Sequence, residues 1–414
     1  MVIEAIFQNL PDGWNTCTIK ETCTNFSMGP FGSDIKKSNF VRMGVPVIRG
    51  INLTVPPFYE ENFVFLTEKK AYELKSAYAF PEDLIFTHRG TLGQIGMIPE
   101  NSKFKKYVIS QSQMKCTCKK EILQPLFAFY FFSSEYGQKM IFKESTKSGV
   151  PHITQPLTTL RQFLIIIPSI PEQKKISQIL FDISILINRF EELVQKKKNI
   201  QQGTIQKLLT QKRRLFGFDQ KWKKIELGKL VTLFTSNSKT KYIEKTGKYL
   251  VMDMGSVGMG GENISHKQTN FEGDFLQYGD LVMPKDDIGG GNIIAKTAFV
   301  NENQKYILGD HVYALRIKNL KHNSRFLSYI INSNNVNSEM RKKVTGTAQL
   351  GISKRTIEEQ MISLPTDPEE ETAIVKILSD MDSEIKELET KRDKYIMIKQ
   401  GMMQKLLTGE IRLV

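Results

Sequence analysis

The chain has 414 residues, 40% of them hydrophobic and 25% charged, which is typical of soluble globular proteins with roughly two to four domains. The longest apolar run, residues 126–132, is far too short to cross a bilayer. The first ten residues contain no basic region before an apolar core. We therefore expect no secretion signal, no contact with a membrane and a cytoplasmic location.

The net charge of +14 is unevenly distributed along the chain. The net charge is +5 in residues 1–170, +6 in residues 171–215, +6 in residues 216–364 and −3 in residues 365–414. A basic surface suits a polyanion such as nucleic acid. A generally basic proteome would give the same charge and is the alternative explanation.

The first predicted globular domain covers residues 1–170 and combines short strands with one apolar helical stretch at residues 126–142. The strand predicted at residues 81–86 runs into a polar loop that contains His88 and Arg89. Loops at strand ends are common places for contact residues. Further strands are predicted at residues 45–49, 96–99 and 163–167.

All four cysteines of the chain lie in this first domain, at Cys17, Cys23, Cys116 and Cys118. Cys116 and Cys118 are separated by one residue, whereas zinc knuckles usually have two, and no histidine lies at ligand spacing nearby. We therefore expect reduced thiols, and neither a metal site nor a cofactor.

Two long helical segments are predicted at residues 171–215 and 365–414. Residues 176–215 reappear as residues 374–413, with 17 of 40 positions identical. Apolar residues recur every seventh position in both copies, which predicts the seam of a coiled coil. The predicted pairing residues are Ile176, Ile183 and Phe190 in the first copy, and Ile374, Met381, Leu388 and Tyr395 in the second.

The two segments are expected to pair with each other as antiparallel helices. The first is basic and the second is mostly acidic, which favours their mutual pairing over self-pairing. About 40 residues of helix would be about 60 Å long. Gly203 and Gly401 occupy equivalent positions in the repeat, and either a close helix approach, a bend or a local helix break would explain them.

The second globular domain, residues 216–364, follows the same plan with different residues. Trp14 and Trp222, the two tryptophans of the chain, stand near the start of each domain. The strand predicted at residues 278–283 leads to Lys285, as the strand at 81–86 leads to His88. The predicted fold class is therefore α+β, with two globular domains of mostly antiparallel strands and two long paired helices.

Several motifs resemble the specificity (S) subunits of type I restriction–modification enzymes, over the whole chain. Residues 29–33 (Gly-Pro-Phe-Gly-Ser), 44–50 and 85–93 are similar to target recognition domains of that family. The Gln-Lys-Leu-Leu-Thr ends at residues 206–210 and 404–408 are similar to its helical repeats. The second domain lacks a Gly-Pro-Phe-Gly motif and departs more from the family pattern.

The resemblance implies a non-catalytic subunit that reads double-stranded DNA. Each recognition domain would read one half of an asymmetric, bipartite target, and the helices would set the spacing between the halves. The helices would also hold methyltransferase (M) subunits, two in number, and motor-nuclease (R) subunits could join the assembly.

The sequence itself offers little support for an active site. The nearest match to an amino-methyltransferase loop, residues 54–58, lacks the polar residue before its two prolines, and residues 289–291 have no P-loop lysine behind them. An enzyme with unrecognised motifs and a coiled-coil scaffold that binds protein or RNA are the alternatives.

Candidate DNA contacts can be chosen by residue type, because arginine and lysine bind phosphates or guanine edges and histidine can read bases. The candidates are Lys36, Lys37, Arg49, His88, Arg89 and Lys147 in the first domain, and Lys285, Lys354 and Arg355 in the second.

Overall fold

The protein is described by a computed structural model that covers residues 10–54, 57–146, 149–287, 290–346 and 350–413. Its contacts divide the chain into two compact units. Unit 1 contains the residues up to Glu192 together with those from Glu389 onward, and unit 2 is Leu193–Leu388. Each unit therefore combines one globular domain with parts of both long helices.

The globular part of unit 1 contains eleven labelled strands and several short helices among the described residues. The strands are β1 (Asn15–Thr18), β2 (Cys23–Met28), β3 (Phe40–Val41), β4 (Val45–Ile48), β5 (Val64–Leu66), β6 (Tyr78–Ala79), β7 (Asp83–Thr87), β8 (Ile95–Met97), β9 (Tyr107–Ile109), β10 (Gln113–Cys118) and β11 (Leu164–Ile167). The helices are α1 (Ile19–Thr22), α2 (Glu68–Glu73), α3 (Pro125–Ser133), α4 (Glu135–Lys143) and α5 (Pro156–Gln162).

Three sheets form the framework of unit 1. Their strand orders are β2-β10-β7-β8, β3-β5-β4-β9-β6 and β1-β11. All pairings are antiparallel except that of β4 with β9. Strand β7 is buried along its whole length, and its first residue, Asp83, forms a buried ion pair of 2.7 Å with Lys115 on β10.

Unit 2 repeats this framework with its own strands and short helices. The strands are β12 (Lys223–Glu226), β13 (Val231–Phe234), β14 (Ile243–Glu244), β15 (Tyr249–Met252), β16 (Gln268–Thr269), β17 (Leu281–Pro284), β18 (Asp286–Asp287), β19 (Ala298–Phe299), β20 (Tyr306–Leu308), β21 (Val312–Ile317), β22 (Leu350–Gly351) and β23 (Met361–Leu364). The short helices are α7 (Leu227–Leu230), α8 (Ser324–Asn332), α9 (Asn334–Arg341) and α10 (Lys354–Glu358).

The sheets of unit 2 correspond to those of unit 1. Their orders are β13-β21-β17-β19, β14-β16-β15-β20, β12-β23 and β18-β22, and again only one pairing, β15 with β20, is parallel among the described strands. Asp280, just before β17, is bonded to Arg316 on β21 at 2.6 Å, as Asp83 is to Lys115. The prediction of two α+β domains with mostly antiparallel strands is confirmed.

The long helices are α6 (Ile170–Leu209) and α11 (Pro368–Leu406). In unit 1 the rings of Phe190 and Tyr395 stack with centroids 5.5 Å apart, and Arg392 donates to Glu191 at 3.0 Å. In unit 2 Lys197 forms an ion pair of 2.6 Å with Glu384. Residue numbers rise on α6 as they fall on α11, so the predicted antiparallel pairing is confirmed.

The apolar stretch predicted as one helix at residues 126–142 is in fact two helices, α3 and α4. Ser134 lies between them in an extended conformation, and its hydroxyl accepts a hydrogen bond from Gly137 N, which caps α4. A Cβ on Gly137 would lie 2.4 Å from Phe132 Cα, so only glycine allows the two helices to pack this closely.

Gly203 and Gly401 lie inside the continuous helices α6 and α11, so neither marks a local helix break. A Cβ at either position would meet nothing within 4 Å. Close packing inside the chain therefore does not explain these two glycines.

Candidate nucleic-acid interface

In unit 1 several loops meet where three strands end. The parallel strands β4 and β9 end side by side, with Ile48 opposite Ile109, and β7 ends at Thr87. Ser110 N donates to Ile48 O at 3.1 Å, His88 N to Ser112 O at 2.9 Å and Ile153 N to His88 O at 2.9 Å. These bonds fix three loops against one another.

The same three backbone hydrogen bonds occur in unit 2. Gly309 N donates to Met252 O at 2.9 Å, Lys285 N to His311 O at 2.9 Å and Ile352 N to Lys285 O at 3.0 Å. We call this region the strand-end edge; it comprises residues 29–33, 49–50, 88–90, 110–112 and 151–153 in unit 1, and residues 285–287, 309–311 and 350–352 in unit 2.

Equivalent backbone positions at the two edges carry different side chains. His88 corresponds to Lys285, Arg89 to Asp286 and Ser112 to His311, as the matching hydrogen bonds establish. The backbone frame is thus shared while the donors and acceptors that it presents differ. The two edges therefore present different hydrogen-bonding groups on one common backbone arrangement.

The loop at residues 29–33 packs against the turn after β9. A Cβ on Gly29 would lie 1.8 Å from Ser110 O, and one on Gly32 would lie 2.2 Å from Gln111 Oε1. Glycine is required at position 29, where the contact is with backbone, whereas at Gly32 the contact is with the movable end of the Gln111 side chain. The intervening Phe31 is left 85% exposed.

Arg89 and His88, neighbours in sequence, lie in different environments. Arg89 is exposed at the edge. His88 is 7% exposed, and its Nε2 lies 3.2 Å from Gln111 O. Burial lowers the pKa of His88, against the opposing effect of that hydrogen bond, so the ring is neutral at pH 7 and does not attract phosphate.

The other predicted contacts in unit 1 differ in their freedom to bind a ligand. Lys36 and Lys37 are exposed, directly after the loop at residues 29–33. Arg49 follows β4, but its Nη2 donates to Asn62 O at 2.7 Å, which holds the guanidinium against the protein. Lys147 lies outside the described residues.

In unit 2 Lys285 lies at the strand-end edge, where its Nζ donates to Asp310 O at 3.0 Å. Lys354 and Arg355 begin helix α10, which follows the edge, and both are exposed. They pair with Glu358 at 3.7 Å and Glu359 at 2.6 Å, one helical turn later. Such exposed pairs exchange readily for a phosphate, because each contributes about 0.5 kcal/mol or less.

A buried group of three hydrogen-bonded side chains, which the sequence did not predict, lies where each long helix begins. In unit 1 Glu172 accepts hydrogen bonds from Trp14 Nε1 at 3.0 Å and from Arg412 Nε at 2.7 Å. In unit 2 Glu370 accepts them from Trp222 Nε1 at 3.0 Å and from Arg214 Nε at 2.8 Å. We call these the Trp–Glu–Arg clusters.

Comparison with known proteins decides the family. Residues 11–202 and 219–396 match the family described as "Type I restriction modification DNA specificity domain". These two segments cover most of the chain, and each contains one globular domain and much of the long helix that follows it. The chain belongs to the type I restriction–modification DNA specificity family.

A relative and two solved structures illustrate this membership. The "Type I restriction enzyme MjaVIII specificity subunit" of Methanocaldococcus jannaschii is 25% identical over 328 residues, which is 74% of this chain and 75% of that protein. A crystal structure of a type I restriction–modification S subunit from M. genitalium has a TM-score of 0.64 at 14% identity, covering 96% of both chains. A chain from work on assembly and conformational transition of a type I R-M system has a TM-score of 0.54 at 16% identity, covering 97% of this chain and all of that one.

Membership of the specificity family confirms two predictions from the sequence. The resemblance noted at the motifs is correct, and the family recognises DNA sequence rather than catalysing the reaction. Within the described residues, no helix has the length and apolar character needed to cross a membrane, and no cluster of ligating side chains suited to a metal ion is found there.

The predicted pairing residues fall into two groups. Ile176 is fully buried in the core of unit 1 and Ile374 is 1% exposed in the core of unit 2. Phe190 and Tyr395 contact each other directly. Ile183, Met381 and Leu388 are half-buried, as are Phe190 and Tyr395.

The sequence did not predict some of the residues that lie at the strand-end edges of this specificity-family member. Phe31 and Gln111 are exposed at the edge of unit 1, and His311 Nδ1 lies 3.0 Å from Asp286 Oδ2 in unit 2. The Gly-Pro-Phe-Gly motif was a signal for Phe31, since a phenylalanine held between two glycines of a surface loop is poorly buried. No pattern in the sequence marked Gln111 or His311.

Proposed function

We propose that this chain is the sequence-specificity subunit of a type I restriction–modification enzyme, and that each unit reads one half of an asymmetric, bipartite duplex target. The proposal is carried by the strand-end edges, where one backbone frame presents Arg89 and Ser112 in unit 1 but Asp286 and His311 in unit 2. Two readers with different donors and acceptors select different half-sites.

The partners follow from the same proposal. The chain binds double-stranded DNA and holds two methyltransferase subunits on its paired helices, which also fix the spacing between the half-sites. Motor-nuclease subunits join this assembly where the system includes them. The net charge of +14 supports the DNA partner.

Within each unit, the proposal assigns phosphate contacts to exposed cations that have weak or no competing bonds. Lys36, Lys37, Arg89, Lys354 and Arg355 fit that description. Lys285, by contrast, is placed at the edge and is proposed to position the loop as well as to contact DNA. Arg49 and His88 are retained as DNA contacts of the proposal, with Arg49 Nη2 already bonded to Asn62 O and His88 Nε2 to Gln111 O.

Mapping of methylated bases across the genome, in cells with and without this chain, tests the proposal. We expect one motif that depends on the chain, made of two unlike half-sites separated by bases of any sequence. A single continuous motif or a palindrome would contradict it. Methyl transfer by the purified chain alone would instead support the enzyme alternative.

A further inference from the structure

Three of the four cysteines lie together, as free thiols, in the core of unit 1. Cys23 is the first residue of β2, and Cys116 and Cys118 lie on β10. Cys23 Sγ is 3.8 Å from Cys118 Sγ. We propose that Cys23 and Cys118 form a redox pair, which a peroxide converts into a disulfide bond between β2 and β10. Neither DNA nor a partner subunit takes part in this chemistry, so it goes beyond the proposed function.

The pairing of β2 with β10 gives the two cysteines the separation that a disulfide needs. Cys23 is directly opposite Cys118 in the antiparallel register. Lys119 N donates to Thr22 O at 2.9 Å, and a bond between these flanking residues makes the cysteines a non-hydrogen-bonded pair, whose Cα atoms are about 4.5 Å apart. Disulfides span Cα separations of about 4.4–6.8 Å. The bond therefore requires rotation of the two side chains and little movement of the strands.

Unit 2 shows that the fold does not require thiols at this place. Val231 and Ile317 stand opposite each other at the corresponding positions of β13 and β21. The flanking hydrogen bond is repeated as well, from Lys318 N to Leu230 O at 2.8 Å. Cysteine can act as a small hydrophobic residue, but an aliphatic pair fills the same position in unit 2, which contains no cysteine. The thiols thus give unit 1 a chemistry that unit 2 lacks.

The two thiols of the pair differ in their tendency to lose a proton. Hydrogen bonding to Cys116 and Cys118 lowers the pKa of the Cys23 thiol, against the opposing effect of burial. Hydrogen bonding to Cys23, together with burial, raises the pKa of Cys118. The fold therefore favours a thiolate, the nucleophilic form, at Cys23 beside a protonated thiol at Cys118. In such a pair the second thiol captures the first oxidation product as a disulfide.

The oxidation proceeds in two balanced steps. The Cys23 thiolate attacks one oxygen of hydrogen peroxide, the O–O bond breaks, hydroxide leaves, and Cys23 becomes a sulfenic acid. Cys118 Sγ then attacks Cys23 Sγ, the S–O bond breaks as the S–S bond forms, and the hydroxyl group leaves with the thiol proton as water. The electrons lost by the two sulfur atoms reduce the peroxide. Because Cys23 is 2% exposed and Cys118 7% exposed, the oxidant must be small.

The test treats the reduced, folded full chain with hydrogen peroxide, blocks the remaining thiols and maps disulfides in a digest by mass spectrometry. We expect one linked pair of peptides that contains Cys23 and Cys118 and has lost two hydrogen atoms. Dithiothreitol should separate the two peptides again. The same oxidation in denaturant should give a mixture of pairings among the four cysteines, because contact in the fold selects the pair.

Four matched variants identify the two partners. Cys23→Ala and Cys118→Ala should each abolish the linked peptides. Cys116→Ala and Cys17→Ala should retain them, since Cys116 is not opposite Cys23 and Cys17 lies in a different sheet. A thermal melt confirms that each variant is folded.

The disulfide should also stabilise unit 1. Cys23 and Cys118 are 95 residues apart in the chain, so a bond between them restricts the unfolded chain strongly. In a Trp222→Phe background, denaturant unfolding followed by the fluorescence of Trp14 should show a midpoint that rises on oxidation and returns on reduction. The Cys118→Ala variant, given the same peroxide, controls for oxidation of methionines and should show no rise.

Three results would overturn the proposal. The first is that the folded chain yields no linked peptides. The second is a mixture of pairings in the folded chain, or a bond from Cys23 to Cys116. The third is a midpoint that falls on formation of the bond, which would mean that the bond distorts the strand pair. None of these results depends on whether the chain directs methylation of DNA, so the proposed function is tested separately.

Discussion

Each unit holds one buried glutamate that is bonded to a tryptophan and an arginine. The side chain of Glu172 is 3% exposed and that of Arg412 29% exposed, and the Arg412 guanidinium also lies 5.3 Å from the centre of the Trp14 ring. The Trp–Glu–Arg cluster of unit 1 thereby joins the start of α6 to residues that follow α11. A carboxylate in this position contributes to stability through several charge-assisted hydrogen bonds.

We predict that Glu172→Gln lowers the free energy of unfolding of unit 1 by about 2 kcal/mol, because hydrogen bonds to a buried charge are worth about 1.5–3 kcal/mol. Denaturant unfolding followed by the fluorescence of Trp14 measures it, in a Trp222→Phe background that leaves one tryptophan. The matched control is Glu73→Gln, which removes an exposed ion pair with Lys70 in the same unit and should cost about 0.5 kcal/mol or less. An equal loss of unfolding free energy in the two variants would show that the buried carboxylate contributes no more to stability than an exposed one.

The same carboxylate makes the stability of unit 1 depend on pH. Burial alone would raise the pKa of Glu172, but hydrogen bonds from Arg412 and Trp14 hold the pKa below its ordinary value. The folded state therefore favours the ionised form, and its contribution is present above the unfolded pKa of about 4.3 and is lost as the pH falls through the folded pKa.

We therefore predict that the difference in stability between the unaltered protein and Glu172→Gln is constant from about pH 7 to pH 5 and shrinks below about pH 4.3. Urea titrations at several pH values, with Trp14 as the only tryptophan, provide the measurement. A difference that grows on acidification would mean that the sign of the pKa shift is wrong.

At the scale of residues, the sequence revealed some members of the Trp–Glu–Arg clusters but not their contacts. Glu172 and Glu370, and likewise Arg214 and Arg412, stand at equivalent positions of the repeat. The sequence shows that these residues correspond between the two copies. Only the structure shows that Trp14 and Trp222 donate hydrogen bonds to the two glutamates. The burial of His88 beside exposed Arg89 was not readable, since it depends on the turn at Gln111, which is distant in sequence.

At the scale of elements, two isoleucines of α6 illustrate the difference between an inward and an outward position. Ile176 is fully buried and Ile179, one turn later, is 36% exposed. The second copy repeats the contrast, with Ile374 at 1% and Ile377 at 37%. Both positions are apolar in both copies, so hydrophobicity alone does not tell them apart.

We predict that Ile176→Ala destabilises unit 1 by about 3 kcal/mol through loss of packing and formation of a cavity, and that Ile179→Ala costs less than about 1 kcal/mol. Chemical denaturation followed at Trp14 compares the two variants directly. Ile374→Ala and Ile377→Ala, followed at Trp222, repeat the comparison in unit 2. Similar losses for both members of a pair would contradict the burial in the structure.

Long helices were predictable because a seven-residue pattern persists over many turns and is repeated. Helix α6 begins at Ile170 and α11 at Pro368, close to the predicted starts at residues 171 and 365. The break between α3 and α4 was not predicted, although Ser134 and Gly137 interrupt the apolar stretch, because the sequence alone does not show that the Ser134 hydroxyl caps a second helix.

At the scale of the whole molecule, the chain contains two copies of one unit, and some parts of the two copies differ more than others. The strand order and the hydrogen bonds of the strand-end edge are kept in both units, while the side chains at the edge differ. Within the repeat, the buried positions Ile176, Leu180 and Leu208 are kept as Ile374, Leu378 and Leu406. We interpret the changed side chains at the strand-end edges as reading two half-sites.

The proposed role of the helices as a spacer yields the most direct test of this account. Four residues inserted immediately before Thr210 would lengthen the segment between the two recognition domains. Methylated motifs mapped genome-wide should then show both half-sites unchanged and a longer stretch of unspecified bases between them. An altered half-site, or an unchanged spacing in an active complex, would contradict the account.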